Sequence, residues 1–162
     1  MKLIFAILLA AGVIAGCASP SFDTPAARPD KADRNAKAEV WGEPGSNASS
    51  VDAYKRELAY RIAQINSSKV YGGQPQALLR SVVVVRYVID GQGHLVRSEI
   101  VRSNRDRETE ATALASLHNA APFPKPAAHL LRRGQLEVSE TWLFNNDGRF
   151  QLRTIAQPQM DR

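Results

Sequence analysis

The sequence predicts a single small α+β domain, with two helices packed on one face of an antiparallel sheet of three to four strands. Two patterns carry this prediction. Apolar residues recur at helical spacing in two segments, and four shorter segments rich in β-branched, aromatic or alternating apolar residues are typical of strands. The four strand segments form two pairs, and each pair is joined by a short turn signal that contains glycine, as is typical of hairpins.

The first helix is predicted from Val51 to Asn66. Ser49, followed three residues later by Asp52, fits an N-terminal cap. One apolar stripe, with spacings of three and four residues, is predicted to face the sheet. It consists of Val51, Tyr54, Leu58, Ile62 and Ile65.

The strongest strand signal is the run from Arg80 to Asp90, which is rich in β-branched residues. Because side chains alternate along a strand, one face of this run is predicted to pack against the helices. That face carries Val83, Val85, Tyr87 and Ile89. Arg86 marks the opposite face as at least partly solvated.

A turn from Asp90 to Gly93 is predicted to lead into the second strand, Leu95 to Arg102. Ile100 and either Leu95 or Val96 are expected to face the core. Leu95 and Ile100 differ in parity, which indicates a β-bulge in this strand.

The second helix is predicted from Glu108 to Ala121, and the proline-rich run from Pro122 to Pro126 ends it. Phe123, which lies between two of these prolines, is interpreted as a packing anchor. The inner side of the helix is predicted to carry Ala111, Leu114, Ala115, Leu117 and His118.

The third strand is predicted from Leu136 to Phe144, followed by a turn from Asn145 to Gly148 and a shorter fourth strand from Phe150 to Ile155. One face of the third strand carries Leu136, Val138, Glu140, Trp142 and Phe144. The aromatic residues on this face are expected either in the core or on a binding platform.

The first 16 residues read as a leader rather than as part of the fold. A positive start is followed by roughly a dozen apolar residues, a length typical of a signal peptide and short of the ~20 residues that span a membrane. Ile14 to Cys17 resembles the bacterial lipobox, which implies cleavage before Cys17 and lipidation of that cysteine. Ala18 and Ser19 follow, and the resemblance then favours the outer membrane. The alternative is an ordinary cleaved signal followed by an unmodified cysteine.

Residues 17–48 are predicted to be a flexible tether, residues 49–157 the folded domain and residues 158–162 a tail. Trp41 is an isolated aromatic residue in the tether. The net charge is +5. For a lipid-anchored envelope protein this charge indicates either solvated surface or contact with anionic lipid headgroups, other envelope polymers or an acidic partner. We expect no nucleic-acid partner.

The domain resembles the C-terminal domain of TonB and its relative TolA. The hairpin from Val82 to Leu95, the run from Ile100 to Ser103 before a helix, and the alanine-rich helix that ends in Ala121 to Pro126 carry the likeness. It covers about residues 51–145 and implies a periplasmic protein–protein interaction module, which binds an envelope protein or peptide by strand addition or groove docking. A lipobox stands where an energy transducer has a transmembrane helix, so energy transduction is not carried over.

The resemblance places candidate partner-binding residues on the third strand, and they are Leu136, Val138, Glu140, Trp142 and Phe144. Arg132 and Arg133, just before this strand, are expected to steer an acidic peptide, to contact lipid headgroups or simply to be solvated. The alternative function is a structural or assembly accessory lipoprotein of secretion or pilus type, which would not accept a strand. If Phe150 to Ile155 covers the outer edge of the third strand completely, strand addition there is excluded.

Nothing in the sequence indicates catalysis, so we expect no enzyme, no cofactor, no metal and no small-molecule substrate. No zinc-ligand spacing and no nucleophile elbow occurs. The histidines are scattered: His94 is interpreted as an exposed turn residue, His118 as a core or boundary residue, and His129 lies in a connector.

Overall fold

The computed structural model describes residues 45–159. Its helices are α1 (Val51–Ile65) and α2 (Arg107–Ala120), and its strands are β1 (Ser81–Asp90), β2 (Leu95–Arg102), β3 (Gln135–Phe144) and β4 (Phe150–Leu152). Short 3-10 turns occupy Ser67–Lys69 and Ala128–Leu130. The strands form one antiparallel sheet in the order β2-β1-β3-β4. The predicted α+β class is confirmed.

Helix α1 follows the predicted pattern with two changes. Its N-cap is Ser50 rather than Ser49, and the Ser50 side chain accepts a hydrogen bond from the Ala53 N–H. Tyr54, Leu58 and Ile62 are fully buried, whereas the two ends of the predicted stripe, Val51 and Ile65, are 39% and 50% exposed. The stripe therefore contacts the sheet only through its central turns.

Strand β1 is the centre of the sheet and pairs with both β2 and β3. Its predicted core face is confirmed, because Val83, Val85, Tyr87 and Ile89 are all buried. On the helix-free face Val88 is buried as well. Arg97 of β2 and Glu137 of β3 both pair with Val88 and join over it in an ion pair of 3.2 Å, which shields the valine from water.

The bulge predicted in the second strand occurs twice. The register between β1 and β2 shifts between Val84 and Val85 and again between Val88 and Ile89. These shifts leave Val101 and Val96 as extra residues on β2, where they are 42% and 49% exposed. Leu95 and Ile100 can then both pack against the core.

The predicted inner face of α2 is confirmed at Leu117 and Leu114 and wrong at its other three positions. The residues that face the sheet are Thr109, Ala113, Ser116, Leu117 and Ala120, whereas Ala111, Ala115 and His118 are exposed. The reason is a polar contact inside the core. The Ser116 hydroxyl accepts a hydrogen bond from the Trp142 indole N–H at 2.9 Å and donates one to the Ala113 carbonyl at 2.8 Å. A serine that satisfies a buried indole belongs inside, and apolar periodicity does not show this.

Phe123 is confirmed as a packing anchor and fixes the β1–β2 turn. Its ring is fully buried and stacks on Tyr87 with centroids 6.3 Å apart. Its backbone N–H donates to the Gly93 carbonyl at 2.8 Å. A Cβ atom on Gly93 would lie 2.0 Å from the Phe123 carbonyl oxygen, and Gly93 has φ +88°, so only glycine fits this position.

Two predicted boundaries change at the ends of the domain. Residues 45–48, assigned to the tether, belong to the fold, since Ser46 N–H donates to the Lys125 carbonyl and Ala48 is buried. The fourth strand ends at Leu152 instead of Ile155, because residues 153–155 form a turn. The chain then crosses to residues 76 and 77, whose carbonyls accept hydrogen bonds from the Gln159 side chain.

Candidate functional site

The outer edge of β3 is the place where the sequence predicts partner binding. Its outward backbone groups belong to odd-numbered residues. The Thr141 carbonyl accepts from the Arg153 N–H at 2.9 Å, and the Asn145 N–H donates to the Arg149 carbonyl at 2.9 Å. At the other end, Gln135 and Arg132 exchange N–H···O bonds of 2.8 and 3.1 Å. Because backbone groups alternate along a strand, those of Glu137 and Ser139 also point outward.

The N–H and C=O groups of Glu137 and Ser139 have no hydrogen-bond partner within residues 45–159. Strand β4 pairs only with Trp142 to Phe144, so it does not reach them. Both residues are exposed. We call the outward edge at Glu137 and Ser139 the open window. Unpaired backbone groups on an exposed strand are a template for another strand.

One end of the open window is closed by a tight turn. The turn from Arg132 to Gln135 has its two central residues, Arg133 and Gly134, at φ +53° and +78°. Positive φ at both central positions is the geometry of a two-residue hairpin turn. The hydrogen bonds between Arg132 and Gln135 therefore occupy the edge immediately before Glu137.

The other end is closed by Glu140 and the turn after β4. The Glu140 side chain points to the core face but its Oε1 accepts from the outward Thr141 N–H at 2.7 Å and from the Thr154 N–H at 3.4 Å. The Thr141 carbonyl is occupied by Arg153. An arriving strand can thus pair with the sheet at Glu137 and Ser139 and finds no free group at Thr141.

Glu140 is a buried acid, with 4% of its surface exposed. Burial raises the pKa of its carboxyl group, and the hydrogen bonds from Thr154 and Thr141, together with the charge of Lys55, oppose this rise only in part. A carboxylate kept at such a position costs folding free energy when it is charged. Its role at the edge, where it covers the Thr141 N–H, accounts for an acid on an otherwise apolar face.

The strand residues predicted to contact a partner are placed differently from that expectation. Their side chains lie in the core beneath the helices, with 6% or less of each residue exposed; they are Leu136, Val138, Glu140, Trp142 and Phe144. These residues alternate along β3 on the face that packs against the helices. Their side chains cannot touch a partner unless the sheet unfolds. The binding-platform alternative for Trp142 and Phe144 is therefore wrong.

Arg132 and Arg133 are exposed and lie beside the open window. The sequence analysis did not identify the exposed residues Glu137 and Ser139. The signal that identifies them is parity: once the apolar residues of β3 are assigned to the core, the polar residues between them face solvent.

The histidines do not come together as a metal site. His94 Nδ1 lies 3.0 Å from an Asp90 carboxylate oxygen in the β1–β2 turn, and His118 Nε2 lies 3.4 Å from the Ser98 hydroxyl. His118 is exposed, in contrast to the core or boundary position expected. Over residues 45–159, no group of three or more His, Cys, Asp and Glu side chains is arranged to hold a metal ion. Cys17 and Trp41 lie outside the described residues.

Comparison of the chain with protein-family models, curated proteins and solved structures found no significant match. The resemblance to the TonB and TolA domains therefore stays a prediction from the sequence. In the part of the chain that the structure describes, no helix is long and apolar enough to cross a membrane.

Proposed function

We propose that this chain is a lipid-anchored envelope lipoprotein whose domain binds an extended segment of another envelope protein by strand addition at the open window. The observation that carries the proposal is the set of unpaired backbone groups at Glu137 and Ser139, on a strand whose other outward groups are satisfied. Main-chain hydrogen bonds supply the affinity in this mode of recognition. Because both ends of the open window are closed, it fits a short segment.

The anchor is part of the same proposal. Lipidation of Cys17 would hold the domain at the periplasmic face of the outer membrane, and a tether of about 30 residues has a reach of roughly 30 Å. The partner is then a protein or a flexible segment close to the same membrane. Cys17→Ser is expected to leave unprocessed precursor and to release the domain from the membrane fraction. Unchanged fractionation of the variant with membranes would contradict the anchor.

The binding role is tested by photo-cross-linking in intact cells. A photoreactive residue at Ser139 is expected to give a discrete cross-linked product. The matched control places the same residue at Val101, which is exposed on the opposite edge of the sheet. Products of equal yield from both positions, or none from Ser139, would contradict strand addition at β3.

A second experiment tests whether backbone pairing is responsible. Ser139→Pro removes an outward N–H that the fold does not use. With the photoreactive group at Glu137, this change is expected to abolish the product and leave the circular dichroism spectrum unchanged. A product that persists would contradict a role for the Ser139 N–H in holding the partner.

One observation favours the alternative function, an accessory lipoprotein that accepts no strand. Natural sheets protect their edges with inward-pointing charges and short pairings, and Glu140 with β4 fits that description. Under this alternative the open window is only the remainder of a protected edge. The cross-linking comparison above separates the two functions, since only the binding role predicts a product specific to Ser139.

A further inference from the structure

A shallow cavity adjoins the open window at its Gln135 end. It has a volume of about 470 Å³ and includes Gln135 and Glu137 in its wall. Its lining combines apolar side chains, among them Val51, Val88 and Leu130, with the side chains of Arg97 and Arg132. A segment paired with the open window would place its end beside this cavity.

The charges around the cavity are unbalanced. Arg97 is already engaged, because its guanidinium lies 3.2 Å from a carboxylate oxygen of Glu137. Arg132 forms no ion pair and no side-chain hydrogen bond within residues 45–159. Its backbone is fixed by the two hydrogen bonds to Gln135, so its position relative to the window is set. Arg133, at the tip of the same turn, adds a further positive charge.

We propose that Arg132, together with Arg97, forms a carboxylate-binding site that selects an extended peptide with an acidic residue next to the stretch that pairs with Glu137 and Ser139. The inference rests on the proposed strand addition and specifies the chemistry of its ligand. Arginine suits this role because its planar guanidinium donates two parallel hydrogen bonds to a carboxylate.

Glu137 gives the site an internal competitor. Its carboxylate occupies Arg97 at 3.2 Å and lies 3.8 Å from Arg86. An arriving carboxylate either displaces Glu137 from Arg97 or binds Arg132 alone. The side chain of Glu137 therefore lowers the affinity for acidic segments, although its backbone belongs to the window that binds them.

The test measures binding of short fluorescent peptides by anisotropy. Each peptide alternates threonine and valine, has blocked ends, and carries one glutamate, glutamine or lysine at either end. The glutamate peptide is expected to bind about two- to fivefold more tightly than the glutamine peptide, the range for one exposed charged contact. Arg132→Glu should remove this preference and favour the lysine peptide. Glu137→Gln should strengthen binding of the glutamate peptide alone.

The matched control is Arg102→Glu. Arg102 is exposed on β2, forms no ion pair among the described residues, and lies at the far end of the sheet, where it pairs with Val84. The Arg102→Glu substitution changes the net charge by the same amount as Arg132→Glu. If both variants lower the preference for the glutamate peptide equally, that preference comes from long-range attraction, and the proposed site is overturned.

The outcomes separate this inference from the function on which it rests. Equal binding of the glutamate and glutamine peptides, abolished by Ser139→Pro, overturns the carboxylate site and keeps strand addition. No binding of any peptide overturns both. Anionic phosphatidylglycerol vesicles serve as a parallel probe: if Arg132→Glu lowers sedimentation with these vesicles while the peptides do not discriminate, the arginines recognise a membrane surface and the proposal is wrong.

Discussion

The two edges of the sheet differ in how far they are protected against another strand. The outer edge of β2 has no neighbouring strand in the described residues, yet it carries two bulges and the charged side chains of Arg97, Glu99 and Arg102. Bulges and charges blunt an edge. The outer edge of β3 is regular, and it is closed at both ends but free at Glu137 and Ser139. A short, regular free edge suits a specific, short ligand better than a long, irregular free edge does.

The largest effect is expected from a change that breaks the hairpin of the bulged edge. Gly93→Ala forces a Cβ atom to within 2.0 Å of the Phe123 carbonyl oxygen at a φ of +88°. We expect a loss of about 2–4 kcal/mol in the free energy of unfolding, measured by denaturant titration.

The control for this change is Gly72→Ala. Gly72 has no atom within 4 Å of an added Cβ and its φ is not in the left-handed region. It should change stability by less than about 0.5 kcal/mol. If Gly93→Ala is as mild as this control, the contact between Gly93 and Phe123 does not fix the hairpin.

The second-largest loss of stability is expected when the hydrogen bond between α2 and the Trp142 indole of β3 is removed. Ser116→Ala removes the acceptor of the Trp142 indole N–H, which is buried. An unsatisfied buried donor costs about 1–3 kcal/mol. Ser103→Ala offers a comparison at a half-buried position outside the core, where a smaller loss is expected. A Ser116→Ala protein as stable as the parent would show that the indole has found another partner.

The smallest effect on stability is expected from Glu140, whose side chain covers the Thr141 N–H at one end of the open window. Burial raises the pKa of Glu140 above its usual value near 4.5. The folded state then holds the proton more tightly than the unfolded state, so stability is fully present below the usual value and falls as the pH rises through the raised pKa. Glu140→Gln removes this titration and can still accept from the Thr141 N–H.

The variant should therefore gain stability relative to the parent as the pH is raised, by less than about 1 kcal/mol. Thermal melts of both proteins across the acidic and neutral range measure the difference. If the stability advantage of Glu140→Gln over the parent shrinks as the pH rises, the raised pKa of Glu140 is contradicted.

The sequence predicts the helices, the strands and the core face of β1 because apolar periodicity reports burial directly. It also predicts the bulge in β2, from the parity of Leu95 and Ile100. It fails in part at α2, where Leu117 faces the core as predicted but Ser116 also faces inward to bind the Trp142 indole. A hydrogen bond between distant residues leaves no periodic signal.

The β3 side chains predicted to contact a partner lie in the core instead. The resemblance points to the third strand as a whole, whereas its large apolar residues are needed for the core. The open window depends on where β4 stops and on the Glu140 side chain that covers Thr141. The length of a pairing and the direction of one carboxylate are set by tertiary contacts, so local sequence patterns do not report them.

Amide hydrogen exchange along β3, followed by NMR with and without the glutamate peptide, tests the central claim most directly. In the free protein, the amides of Val138 and Glu140, which face β1, should exchange slowly, and those of Glu137 and Ser139 should exchange fast. Added peptide should slow exchange at Glu137 and Ser139 and leave the amides of β2 unchanged. Glu137 and Ser139 amides that are already protected in the free protein, or unaffected by a bound peptide, would contradict an open, strand-accepting edge.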